Sequence, residues 1–196
     1  MATCALRSQT EMLPWLLASA GLVLADSEDR RLLRDAPIAA QGASLYLDSS
    51  PTSVWTATSA AAESPDTIPA TVPGDIISDL YNAKRIANPL VDLNFKNHSL
   101  WTQDWTYATE FPLPSNGSEA GAAASGSGMV LVLDGIKMGA VVTLNGHELG
   151  TASDQFLRYE FPVGALLQST NRLTVEFKQD IRCTGRWMAC TGGWDW

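Results

Sequence analysis

Apolar and polar positions alternate most regularly between residues 129 and 177, and this stretch sets the expectation for the fold. Residues 130–133 form a short apolar run ended by Asp134-Gly135, and residues 140–144 a β-branched run ended by Asn145-Gly146. Both read as strands. An Asn-Gly pair suits a two-residue type I′ turn, whose central residues both need positive φ, so the chain is expected to fold back at Asn145. Phe156, Tyr159 and Phe161 lead into Leu173, Val175 and Phe177, which alternate with Thr174 and Glu176 as a half-buried strand requires. The pattern is that of antiparallel β architecture.

Upstream, residues 45–47 and 54–56 are short strand candidates, and the Ser/Thr/Ala-rich residues 58–67 have loop composition. Pro73-Gly74 marks a turn. Asp75 is placed to cap a short helix with Ile76, Ile77, Leu80 and Tyr81 on its apolar face, stopped by Asn88-Pro89 and crossing one end of a sandwich. Residues 101–111 then put Trp105, Tyr107, Thr109 and Phe111 on one side at period two, as core. The small, polar residues 115–128 read as a flexible loop within one domain, since strand signals flank them closely. The expected organisation is a β-sandwich over residues 43–180, with an arm over 26–42 before it and the start of a connection to a further domain over 181–196.

Charge narrows the function classes. With 21 Asp and Glu against 13 Lys and Arg, the chain carries a formal charge of −8 and no basic run. Such a surface repels phosphate, which argues against nucleic acid as a partner. The N-terminal region changes the picture differently. Arg7, the apolar residues 13–25 and the small-residue end Val23-Leu24-Ala25 before Asp26 predict a cleaved leader over residues 1–25, so no membrane anchor is expected and the destination would be secreted or lysosomal/vacuolar. In an oxidising compartment Cys183 and Cys190 could form a disulfide, and Asn97-His98-Ser99 and Asn116-Gly117-Ser118 fit the N-glycosylation pattern. His98 and His147 stand far apart in turn-like settings, and Cys183 and Cys190 have no second ligand pair, so no metal site and no cofactor are expected. No nucleophile elbow is present outside the loop.

The segments ATVPGDIISDLYNAKRIANPL, LWTQDWTYATEF, VLDGIKMGAVVTLNGHELGTASDQFLRYEF and the closing GGWDW, in this order across residues 45–196, resemble the N-terminal domain of glycoside hydrolase family 2, in its β-mannosidase branch. The resemblance implies an all-β jelly-roll sandwich of galactose-binding-domain type. It also implies that, in an intact enzyme, a (β/α)8 barrel further along the chain removes terminal β-linked mannose with retention of configuration. That chemistry needs two carboxyl groups about 5 Å apart. In the family both are barrel Glu residues, the acid following an Asn; here no Asn precedes a Glu, so no catalytic residue is assigned and this chain alone is expected to be inactive.

What the resemblance transfers is the aromatic-Asp-aromatic segment. Asp195 and Trp194 match the positions that help line the subsite for the terminal mannose, the carboxylate accepting hydrogen bonds from hydroxyls and the indole covering a C–H face. Residues Arg182, Arg186 and Trp187 depart from the branch pattern and receive no role. The rival reading is a free-standing lectin-like module that binds carbohydrate without cleaving it. Such a module should bury Trp194 and Trp196 in its own fold, whereas a domain of a longer enzyme should leave them exposed; a purely structural sandwich would bind no sugar at all.

Overall fold

The computed structural model describes residues 3–8, 44–49, 53–60, 65–94, 103–113, 128–137, 139–178 and 191–194. They form two antiparallel sheets around one core. The first holds β1 (Thr3–Ser8), β2 (Ser44–Tyr46), β6 (Met129–Asp134) and β9 (Tyr159–Pro162) in the order β2-β1-β6-β9. The second holds β3 (Trp55–Ser59), β4 (Thr67–Ala70), β5 (Trp105–Pro112), β7 (Ala140–Leu144), β8 (His147–Ala152) and β10 (Thr170–Phe177), in the order β4-β3-β5-β10-β7-β8. One short helix, α1 (Ile76–Asn82), follows β4.

Local sequence explains most of these elements. Trp105, Tyr107, Thr109 and Phe111 of β5 and Leu173, Val175 and Phe177 of β10 are buried as their alternation demands, and the two strands pair from Thr170↔Pro112 to Phe177↔Trp105. β6 is apolar at nearly every position because β1 and β9 flank it within its sheet, and Met129 to Leu133 are all buried. The β7–β8 hairpin turns at Asn145 (φ 51°) and Gly146 (φ 81°), the conformation an Asn-Gly pair favours. Asn145 also works through its side chain, donating to the Leu166 carbonyl (2.8 Å) and accepting from the Arg172 amide (2.8 Å).

Two expectations are revised, and one strand lies where none was expected. Thr3–Ser8 is a middle strand, paired in register with β6 from Thr3↔Asp134 to Ser8↔Met129, and Cys4 and Leu6 are wholly buried in the core. A leader cut after Ala25 would remove this strand from between β2 and β6. Burial pushes the Cys4 thiol pKa far up, as befits an inert core side chain. The helix is shorter than expected, ending at Asn82, and its buried side is Ile76, Asp79 and Leu80, while Tyr81 is 44% exposed. Lastly, the sandwich reaches past residue 180, because residues 191–194 are hydrogen-bonded into it.

Asp79 is the unusual member of the core. It is 2% exposed, accepts the Tyr107 hydroxyl (2.9 Å) on one oxygen and the Thr71 amide (3.0 Å) on the other, and burial pushes its pKa up to about 6 against these two bonds. The negative charge of Asp75 adds to the upward shift. A carboxyl whose folded pKa is raised binds its proton more tightly in the folded state, so its contribution is greatest in acid and is lost as pH rises through about 6. We expect the free energy of unfolding to fall by up to roughly 3 kcal/mol between about pH 4 and 6 from this group. Asp79→Asn should flatten that part of the profile in denaturant titrations at stepped pH; an unchanged slope would refute the assignment.

Candidate functional site

The site is assembled where the turn before α1 meets the segment 191–194. Gly74 is required in that turn, since a Cβ there would sit 2.6 Å from the Thr71 carbonyl oxygen. Asp75 then caps α1, one carboxylate oxygen accepting the Ile77 (2.9 Å) and Ser78 (3.1 Å) amides and the other the Ser78 hydroxyl (3.0 Å). Against this turn runs the segment Thr191-Gly192-Gly193-Trp194. The Gly74 carbonyl accepts the Trp194 amide (2.7 Å), the Gly192 carbonyl accepts the Ile76 amide (3.1 Å), and on the other side the Gly193 carbonyl accepts the Lys137 amide (3.0 Å). Bridges Asp75↔Gly193 and Ile136↔Trp194 complete a short three-strand seam.

Trp194 points inward from that seam. It is 3% exposed, and its ring meets those of Trp55, Tyr107 and Phe177 edge-on at centroid distances of 5.6, 5.5 and 5.5 Å. Its indole N–H has no hydrogen-bond partner. This corrects the expectation that Trp194 stacks on sugar: an indole enclosed by three aromatic rings offers no face to a ligand. Burial of Trp194 is what the free-standing module was expected to show. Asp195, Trp196, Cys183, Cys190, Asn97 and Asn116 lie outside the described residues, as do Arg182, Arg186, Trp187 and His98. His147 is exposed at the start of β8.

Beside the seam opens a cleft of about 830 Å³. Its floor is the outer side of α1, with Ile77, Ser78 and Tyr81, and its walls are the turn after the helix, with Asn88 to Leu90 and Asp92, and Lys137 with Thr191 from the seam. The Lys137 ammonium donates to the Thr191 hydroxyl (3.1 Å), tying the two wall residues together. The local sequence gave little sign of this cleft, since Lys137 and Thr191 are far apart in the chain and meet only through the seam. The Gly192-Gly193 pair was the available signal: two adjacent glycines before a Trp mark a backbone that must approach another closely. Among the described residues no group of three or more His, Cys, Asp and Glu side chains is placed to hold a metal ion, and no helix is long and apolar enough to cross a membrane.

Two antiparallel sheets with one short helix among the described residues make a sandwich of the galactose-binding-like class. A family model described as "Glycosyl hydrolase 2 galactose-binding domain-like" matches residues 55–184, and the chain belongs to that glycoside hydrolase family. Among curated relatives, the β-mannosidase of Rattus norvegicus is 33% identical over 118 residues, covering 59% of this chain and 12% of the rat protein. That of Bos taurus is 30% identical over 159 residues, covering 66% of this chain and 17% of the bovine one. The chain thus spans well under a fifth of the length of these relatives. Among solved structures, a β-D-mannosidase from Dictyoglomus thermophilum superposes with a TM-score of 0.57 at 25% identity, over 69% of this chain and 15% of that one. The exo-chitosanase of Amycolatopsis orientalis shares the fold, with a TM-score of 0.51 at 16% identity, over 64% of this chain and 16% of that one.

Proposed function

We propose that this chain is the non-catalytic N-terminal sandwich of a β-mannosidase-like glycosidase that removes terminal β-D-mannose, and that it supplies Asp195 to the sugar subsite. The observation that carries this reading is the seam: it fixes the backbone from Thr191, which lines the cleft, through Trp194, immediately before Asp195. Similarity to β-mannosidases of several organisms supports the substrate class. Within the described residues the one carboxyl held above its ordinary pKa is Asp79, which is enclosed with Tyr107 and serves the core. The catalytic carboxyl pair of the reading is therefore assigned to a barrel elsewhere in the longer protein, the part of the polypeptide this domain would partner.

The division of labour follows from the physics of the seam. Trp194 anchors the chain in the core, and Asp195 accepts hydrogen bonds from sugar hydroxyls, which are worth most when the acceptor is charged and held in place. A secreted or lysosomal/vacuolar location accords with Asp79, whose titration makes the fold firmest in acid. There Cys183 and Cys190 would pair and Asn97 and Asn116 would carry glycans.

In the longer protein, Asp195→Ala should lower kcat/KM on a β-mannoside by roughly 10- to 100-fold, the loss expected for a hydrogen bond to a charged group. The melting temperature should stay unchanged. Wild-type kinetics would remove Asp195 from the subsite. A lectin-like role has two features in its favour, the buried Trp194 and the half-exposed Tyr81 in a cleft with Asn82, Asn88 and Asp92. It differs in a measurable respect: the 196-residue chain alone would bind mannosides.

A further inference from the structure

The turn after α1 displays aliphatic side chains that its own backbone has no need to expose. Leu90 is 91% exposed, Leu93 60% and Val91 47%, with Tyr81 facing the same cleft as Leu90. The turn is internally bonded. The Asn88 side chain accepts the Leu90 amide (3.0 Å), its carbonyl accepts the Val91 amide (3.1 Å) and the Asn94 side chain (2.9 Å), and the Asn94 amide returns to the Val91 carbonyl (3.2 Å). With the backbone satisfied inside the turn, the aliphatic groups are held outward as a formed surface. Adjacent exposed aliphatic groups of this kind mark a protein contact.

We propose that Tyr81, Leu90, Val91 and Leu93 form the seat on which a following portion of the longer polypeptide docks, an apolar surface with basic residues at its rim. The inference rests on the reading that a catalytic domain follows this one. Length identifies the occupant, since the chain spans 12% and 17% of its rat and bovine relatives. Position does so as well: Thr191 lines the cleft and leads into the anchor at Trp194, so the covalent connection runs along the wall of the proposed seat. Asp75 and Asp92 border the apolar centre and outnumber the one cation among the described residues of the cleft, Lys137, which is hydrogen-bonded to Thr191; this favours basic residues facing them on the partner surface. A sugar is a poor match for Leu90, which has no group to bond a hydroxyl, and a second copy is opposed by the net charge of −8.

The test compares amide hydrogen exchange over residues 81–93 in the longer protein and in the 196-residue chain. Docking should slow exchange at least tenfold in the longer protein, and the double variant Leu90→Asp/Leu93→Asp should restore the fast rate. The same variant in the 196-residue chain should leave the melting temperature nearly unchanged, since both side chains are exposed there, which separates loss of docking from loss of folding. Asp195→Ala should leave the protection intact, and protection in a protein inactive on β-mannosides would uphold docking while the functional reading fails. Equal exchange in both proteins, a silent double variant, a reading frame that stops after Trp196, or dimerisation of the 196-residue chain through this face would each overturn the proposal.

Discussion

Gly193→Ala should lower the melting temperature by about 10 °C. The residue has φ +133°, and a Cβ built on it would lie 2.3 Å from the Gly74 carbonyl oxygen and 2.7 Å from the Asp75 Cα. Those are backbone atoms, and the same Gly74 carbonyl accepts the Trp194 amide. Relief by a side-chain rotation is therefore closed, and the seam must open or the turn before α1 must move. Overpacking of roughly 1–3 kcal/mol adds to a backbone strain of similar size. At two to four degrees per kcal/mol for a chain of this length, the sum gives the expected shift. Gly146→Ala is the control: its φ of +81° is also positive, but no atom lies within 4 Å, so a loss of about 1 kcal/mol is expected. Thermal melts of the two variants side by side test the seam directly, and equal small shifts would show that residues 191–194 are not held against the turn.

Trp194→Ala should cost about 3–5 kcal/mol, the usual loss for a large aromatic removed from a core. The hole would be walled by Trp55, Tyr107 and Phe177, and of these Tyr107 and Phe177 are packed edge-on against each other and cannot collapse inward without losing that contact. Trp194→Phe should cost distinctly less. It keeps a ring in the site and deletes the indole N–H that has no partner, a group whose burial itself carries a penalty of about 1–3 kcal/mol. Denaturant midpoints of the two variants separate a core role from a sugar-stacking one. A ligand-stacking Trp would lose binding with stability intact, whereas the buried position predicts that stability falls first.

Where the information was local, the sequence was enough. The alternation in β5 and β10, the Asn145-Gly146 turn and the Asp75 cap each depend on neighbours within a few residues, and the structure realises all of them. Thr3–Ser8 is different: six residues of mixed character become a strand only because β6 and β2 come to lie on either side. The apolar residues 13–25 that follow gave the stronger local signal, and no strand was expected ahead of them. Tyr81 was counted with the apolar face of α1 because spacing alone places it there, yet its ring stands half in solvent. The candidate site was legible to a smaller degree. Resemblance pointed to the GGWDW segment, and composition marked its aromatics as needing cover. Which surface covers Trp194 depends on Gly74 and Gly193 approaching across more than half the chain, and no local pattern encodes that approach. The cleft, formed by α1, Asn88 to Leu90, Lys137 and Thr191, was invisible for the same reason.

β1 lies in the middle of one sheet, and Trp194 fills the centre between the sheets. A ribosome releases the first long before the second. The early strand must wait for β6 to emerge, and a nascent chain that has reached Phe177 owns all ten described strands yet still has an open hole among Trp55, Tyr107 and Phe177. Only when the chain has lengthened past Trp194 can the interior close. Until then the growing protein presents three large aromatic rings to water, a surface that invites chaperone capture or misassociation. Any pause in translation between those two points prolongs that exposure.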